Sequence, residues 1–181
     1  SFYMPGAFVP HMRMMKTGYE DPELACQFGL PYVILHAPRP FDTTTPNYNW
    51  QIWETKAFSL YTNSNGRVDQ ASAREAVESV LGFLAGQGLL RYHRYGGFLS
   101  RIVESKDMVS LRAKRAGFFE SFVPPGQEME PGVPLFRILD PYLGTEQSRQ
   151  TAPEAGTVAF IRDEAMTYES TTVVKLIPSE N

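Results

Sequence analysis

Glu54 is the first residue whose setting points to chemistry. It lies in the run Trp50-Gln-Ile-Trp-Glu-Thr-Lys-Ala-Phe-Ser-Leu-Tyr61, which reads as one long strand or two short ones. On that reading Trp50, Ile52, Phe58 and Leu60 share one parity, and Glu54 shares it too. A carboxylate on the apolar face of a strand needs a partner, because burying a charge is costly. Two readings follow. The structural one pairs Glu54 with Lys56 or an arginine. The catalytic one uses desolvation among Trp50, Ile52 and Trp53 to tune a general base that takes a proton from water.

The other reactive types form no complete constellation. Three histidines stand far apart, at positions 11, 36 and 93. A zinc site commonly starts from a closely spaced pair such as His-x-x-Glu or His-x-x-x-His, and neither occurs here, so no metal ligand is assigned. His36 reads as a hydrogen-bonded strand end, and His93 as a surface residue in the cationic stretch Arg91-Tyr-His-Arg94. No Gly-x-Ser-x-Gly elbow supports a serine nucleophile. Cys26 reads as a small buried apolar residue. Gly96-Gly97 and Gly86-x-Gly88 read as turns and not as phosphate loops.

The elements that must position these groups are legible in part. Residues 1–19 show no clean period and read as extended or loop. Asp21-Pro22-Glu23 opens a short helix, with a capping Asp, Pro at the first position and an acid in the first turn, and Gly29 closes it. Pro31–His36 reads as a buried strand, Ala37–Asn49 as a loop, and Asn63-Ser-Asn-Gly66 as a turn. Asp69–Leu84 carries Ala73, Ala76, Val77, Val80, Leu81 and Leu84 at helical spacing. A helix set between strands predicts α/β layering with a partly parallel sheet.

After Gly96-Gly97 the texture changes to short strand-like runs broken by Pro and Gly: Val109–Ala113, Pro134–Ile138, Thr157–Ile161 and Thr172–Ile177. This predicts a small all-β module, with a boundary near Gly96–Leu99 and hence domains at 1–98 and 99–181. A shift of 39 residues carries Ala113 onto Ala152, Gly117 onto Gly156 and Ile138 onto Ile177. Two such halves, joined at Leu139-Asp-Pro-Tyr-Leu-Gly144, imply a pseudo-two-fold β-sandwich.

Composition bounds the partners. The chain has 181 residues, 20% of them charged and 43% hydrophobic, with a net charge of −3, the balance of a folded protein. Lys and Arg are scattered, which disfavours nucleic acid. One cysteine excludes an internal disulfide framework and fits a reducing compartment. No apolar run approaches the roughly 20 residues that span a bilayer, so a soluble, cytoplasmic protein without membrane contact is expected. The chain opens at Ser1 into an apolar, aromatic stretch, which reads as the middle of something longer.

The order of elements, with Phe28-Gly-Leu-Pro31 before a strand, Glu54 and then a helix, resembles the C-terminal half of the succinylglutamate desuccinylase/aspartoacylase family. The strongest stretch runs from Ala116 to Ile177. It carries Ala-Gly-Phe-Phe, Pro-Pro-Gly, Gly-Val-Pro-Leu-Phe-Arg-Ile-Leu-Asp-Pro-Tyr and Ala-Pro-Glu-Ala-Gly-Thr-Val in that order. The resemblance implies the C-terminal part of a carboxypeptidase-like α/β domain followed by a small, barrel-sandwich-like β domain. It also implies a zinc-dependent amidohydrolase cleaving the amide of an N-acyl amino acid or similar small substrate. The zinc would be bound by residues outside this chain, so this chain alone would be inactive.

In that family the general base is a Glu at the end of a central strand, usually followed by Gly. Glu54 is the matching position, although Thr55-Lys56 follows it. The implied base takes a proton from zinc-bound water and passes it to the leaving amine. Arg13 and Arg39 are candidate carboxylate clamps by charge.

The β module also resembles biotinyl/lipoyl-type carriers, but its inter-half hairpin has no Lys. A lid or oligomerisation role is therefore expected, and an exposed sheet edge would favour a homo-oligomer. The alternative to an enzyme is a non-catalytic β-sandwich binding or assembly module with Glu54 structural. A third reading, glycan or peptide binding by Tyr48, Trp50, Trp53 and Tyr61, rests on composition alone.

Overall fold

The computed structural model describes residues 5–63, 68–93 and 96–180. The turn expected at 63–66 and the cationic stretch at 91–94 fall partly outside these residues. The first four residues of the opening stretch lie wholly outside them. The chain divides by its contacts into two units of mixed sheets and few helices.

The α/β unit spans Pro10–Thr62 and Val68–Lys106. Its sheet has the order β4-β2-β3-β5, formed by β2 (His11–Met15), β3 (Tyr32–His36), β4 (Ser59–Tyr61) and β5 (Arg101–Glu104). The strands β2, β3 and β5 run parallel, and β4 runs antiparallel to β2. Residues 11–15 therefore take the extended alternative, as a central strand. Their four methionine and histidine positions other than Arg13 are buried, and a strand buried on both faces lacks the alternation that would reveal it. By its contacts the sheet unit extends through β5 to Lys106.

Helices follow their caps. Asp21 accepts from the Leu24 amide at 3.0 Å and starts α1 (Pro22–Cys26). Asp69 accepts from Ala71 and Ser72 and starts α3 (Gln70–Gly86). One face of the sheet packs on them. Met12, Met14, Val33 and Leu35 join Ala25, Phe28 and Leu30 in one core cluster. The Phe28 and Phe83 rings stack at 4.1 Å, and the buried Ser79 hydroxyl donates to the Phe28 carbonyl at 2.7 Å.

The segment 37–61 differs from its sequence reading. Pro40–Thr44 is a 3₁₀ turn, and Pro46–Ile52 is a helix, α2. Thr45 caps α2 by accepting from the Tyr48 amide at 3.3 Å, and Pro46 takes the first helical position. Trp50 and Ile52 thus sit on a helix, and the strand begins only at Ser59.

The β unit comprises residues 107–181 with the segments before Pro10 and around Asn63. Its strands are β1 (Gly6–Phe8), β6 (Val109–Arg112), β7 (Gly117–Ser121), β8 (Glu128–Met129), β9 (Pro134–Leu139), β10 (Glu146–Thr151), β11 (Gly156–Arg162), β12 (Met166–Thr167) and β13 (Thr172–Pro178). Elements β6 to β9 recur as β10 to β13. One sheet has the order β12-β7-β9-β10, and the other pairs β8, β11, β13 and β6 in the matching order, with β1 added to β11. Each sheet therefore takes two strands from one half and two from the other. A single core cluster, including Leu135, Ile138, Val158, Val174 and Leu176, draws on both halves.

Candidate functional site

Cross-strand neighbours share a face of the sheet. Arg13 on β2 lies opposite Ser59 on β4 and beside Ile34 on β3, and Met15, two residues on, lies beside His36. Arg13, Ser59, Met15 and His36 therefore occupy the face away from Met12 and Met14. They sit toward the C-terminal ends of the parallel strands, where open α/β sheets hold their ligands.

α2 brings two amides to this face. Asn47 Nδ2 donates to Ser59 Oγ at 2.9 Å, and Gln51 Nε2 donates to the Met15 carbonyl at 3.3 Å. The two residues stand one helical turn apart on one side of α2. Gln51 is fully buried, and both Gln51 Oε1 and Asn47 Oδ1 are buried without a hydrogen-bond partner.

The turn after β3 supplies charge. Asp42, buried, accepts from the Arg39 amide at 2.8 Å and from Arg39 Nε at 3.3 Å, and lies 4.0 Å from His36 Nδ1. Burial pushes the Asp42 carboxyl up, but the Arg39 hydrogen bonds and charge outweigh it and hold the group below its ordinary value. Burial depresses His36, and the Arg13 and Arg39 charges lower it further, against the opposing hydrogen bond to Ala37 and the Asp42 charge. His36 is thus favoured as neutral imidazole.

The structure brings Arg13 and Arg39 together around His36, in different states. Arg39 is engaged by Asp42 and lies 4.3 Å over the Phe41 ring. Arg13 is half-buried, and among the described residues its side chain has no hydrogen bond or ion pair.

Glu54 is not on a strand. It is exposed, in the turn after α2, with its amide donating to the Gln51 carbonyl at 2.9 Å and a left-handed φ of 60°. Its backbone therefore takes a conformation disfavoured for a side chain of this kind. The apolar-face setting expected for it is absent because the helix ends only at Ile52. The strand that follows, β4, carries Ser59, Leu60 and Tyr61 and no carboxylate. Tyr61 stacks on the buried His11, with ring centroids 4.9 Å apart and planes 5° apart. Among the described residues, the strand-end carboxylate of this sheet is Glu104. Lys106 and Lys16, at 2.8 and 2.7 Å, pull it down to about 2 and leave it no tendency to take a proton near neutrality.

The remaining sites are soon placed. His93 is exposed. Burial pushes the Cys26 thiol up, away from a nucleophilic thiolate. Trp50 and Trp53 are 57% and 80% exposed, so they are surface and not core residues. Trp50 borders an apolar cleft of about 440 Å³ with Phe58 and Val80, whose rim cation Lys56 is bound to Asp21 at 3.0 Å. Among the described residues, no group of three His, Cys, Asp or Glu could hold a metal ion, and no helix is long and apolar enough to cross a membrane.

Sequence reasoning missed Asn47, Gln51 and Asp42. The pair Thr45-Pro46, a capping residue followed by Pro at the first helical position, was the signal that would have placed the two amides on a helix.

No family model matches the chain, and no curated protein does. Solved structures do. A succinylglutamate desuccinylase/aspartoacylase from Rhodobacter sphaeroides aligns with a TM-score of 0.74 at 19% identity, over 98% of this chain and 56% of its own. The ectoine utilization protein EutE (DoeB) from Ruegeria pomeroyi, in a product-bound structure, aligns at 0.76 and 15%, over 97% and 55%. A succinylglutamate desuccinylase from Silicibacter sp. TM1040 aligns at 0.75 and 16%, over 94% and 54%. The chain spans about half the length of these proteins. Its fold is that of the C-terminal part of structures in the succinylglutamate desuccinylase/aspartoacylase family.

Proposed function

We propose that this chain is the C-terminal portion of an amidohydrolase that removes the acyl group from an N-acyl amino acid or similar small substrate. The observation that carries the reading is the fold likeness over nearly the whole chain to desuccinylase/aspartoacylase structures. In this reading the α/β unit is the second part of a carboxypeptidase-like domain, and the β unit a barrel-sandwich-like domain acting as lid or assembly element. The reaction in that family's manner is zinc-dependent. The described residues do not fit a zinc site, so the metal would be held outside this chain.

The chain's own contribution is positioning, with a base at Glu54. Arg13, half-buried at the strand ends and without an ion pair among the described residues, is a ready partner for a substrate carboxylate. Arg39 backs it from the neighbouring turn, its charge already balanced by Asp42. Glu54 remains the proposed base on the sequence resemblance and on its open access to water, although it stands in the turn before β4 and not at a strand end. Its exposure gives it none of the desolvation that would tune it.

The test is amine release from N-acyl amino acids by the whole protein carrying this chain. With Glu54→Gln, kcat is expected to fall about 10²–10⁴-fold. An unchanged rate removes Glu54 from the reaction. The second reading, a non-catalytic assembly module, is favoured by the absence of a carboxylate on β4. No amine release from any N-acyl substrate, with zinc supplied, would establish it over the first.

A further inference from the structure

Helix α3 buries polar residues and exposes apolar ones. Its buried residues are Ser72 and Ser79, while Val77 and Val80 stand 57% and 40% exposed. Ala73, Val77, Val80 and Leu84 recur at steps of four, three and four residues, which makes a second apolar stripe along the helix. Val80 brings that stripe to the lining of the apolar cleft of about 440 Å³, and α2 contributes Trp50 to the same lining. The cleft thus has an α3 wall and an α2 wall.

The α2 wall is held by its helix cap. The Thr55 amide donates to the Trp50 carbonyl and the Glu54 amide to that of Gln51, both at 2.9 Å, with Glu54 in the left-handed conformation such a cap requires. Trp53 follows one turn after Trp50 and is the more exposed of the two. The chain's two tryptophans therefore stand on one surface with the valine stripe, a contiguous apolar patch of the kind that marks an interaction site.

The two walls are complementary to each other. One offers two indoles, with Glu54 at the rim. The other offers two valines and, one turn before Val77, Arg74. Neither Glu54 nor Arg74 has an ion pair among the described residues, whereas Lys56 and Asp21 at the cleft bind each other. A two-fold axis down the cleft sets the α2 wall of one copy against the α3 wall of the other. Indole then meets valine, and Arg74 meets an aromatic face beside a carboxylate, twice over. At about 150–250 Å² for a fully buried tryptophan, the exposed parts of these two supply about a third of the ~800 Å² that each partner gives a standard interface. A small molecule filling the cleft leaves Trp53, Val77 and Arg74 uncovered.

We propose that this surface joins two copies of the chain in an isologous dimer, the Trp50 and Trp53 of each copy packing on Val77 and Val80 of the other. It does not rest on the deacylase reading.

Light scattering and tryptophan fluorescence of the 181-residue chain, read over a dilution series, test it. The mass is expected to fall from twice 20.4 kDa to 20.4 kDa on dilution, and the emission to shift to the red in step, since both tryptophans lie on the surface in question. Trp53→Glu and Val77→Lys are each expected to weaken association about 30-fold or more, as loss of an interface hot spot does. Mixed in equal amounts, these two variants are expected to re-form a dimer, because one contact then joins opposite charges and the other is native. Both positions are exposed, and thermal melts check that each variant is folded. Tyr168→Glu, at an exposed position of the β unit, is expected to change nothing. A monomer at every concentration, a dimer whose emission does not move or that survives both substitutions, or a mixture that stays monomeric overturns the proposal. So does a monomeric whole protein carrying this chain, in which a further segment of its own covers the surface. A monomer that releases amine sinks the dimer and keeps the deacylase reading, and a dimer that releases none does the reverse.

Discussion

Gly117 and Gly156 stand 39 residues apart and do the same work in the two halves of the β unit. A Cβ on Gly117 would lie 2.3 Å from the Leu139 carbonyl oxygen, and one on Gly156 would lie 2.5 Å from that of Ile177. In each half the second strand presses on the backbone of the fourth, and only a hydrogen fits between them. Backbone cannot swing aside as a side-chain tip can. Gly117→Ala and Gly156→Ala are each expected to destabilise the chain by about 1–3 kcal/mol, the usual effect of overpacking. Chemical denaturation checks this, and Gly132→Ala, where no atom stands within 4 Å of a Cβ, is the comparison that separates crowding from backbone strain.

Glu54 holds a left-handed backbone conformation at φ 60° in an exposed turn. Glycine reaches that region without steric cost. Glu54→Gly is therefore expected to stabilise the chain by about 0.5–1 kcal/mol, offset in part by the greater freedom glycine has when unfolded. A raised urea midpoint at unchanged slope would show it. A lowered midpoint would mean that the carboxylate makes a contact that the backbone argument does not include.

The pH dependence follows from His36 and Asp42. His36 is depressed on folding, so between its folded value and the ordinary 6.5 the unfolded chain binds more protons than the native one. Its contribution to stability is present above about 6.5 and is lost as pH falls below that. Asp42 is also depressed, so its contribution is present above its ordinary 3.8 and lost at still lower pH. Stability measured from pH 7.5 down to 5 should fall, and His36→Gln should flatten the slope in that window. An equal slope in the variant would place the proton uptake elsewhere.

Asp69 carries the start of α3 by itself, accepting from two backbone amides. Asp69→Ala is expected to cost about 1 kcal/mol, and Asp69→Ser much less, because a hydroxyl can replace the carboxylate as cap. Thermal melts of the two variants make the comparison.

What was legible in the residues was what local physics decides. Asp21-Pro22, Gly29 and Asp69 mark helix ends through groups that bond within a turn, and the helices start where those residues stand. The apolar β-branched runs at 32–36, 134–138 and 172–177 became strands. The failures were of two kinds. Between Trp50 and Tyr61, period two was read into residues whose first members belong to a helix capped five residues upstream, by Thr45. That misreading buried Glu54 and hid Asn47 and Gln51. Strand β10, Glu-Gln-Ser-Arg-Gln-Thr, is polar along its whole length, because it is an edge strand held by backbone bonds to β9 and by charges such as Glu146 with Arg149. Nothing in its own composition marks it.

The exchange of strands between the two halves of the β unit also bears on how fast the unit can form. Arg112 pairs with Thr172, about sixty residues away, and Met129 pairs with Gly156 across the whole of β9 and β10. Neither half can finish a sheet before the other has been synthesised and brought alongside. A chain whose closing pairs are so distant in sequence meets the loop-closure cost before any reward, and such topologies fold in milliseconds to seconds where helical ones need microseconds. While the second half is still missing, β7 and β9 of the first stand with both flanks open.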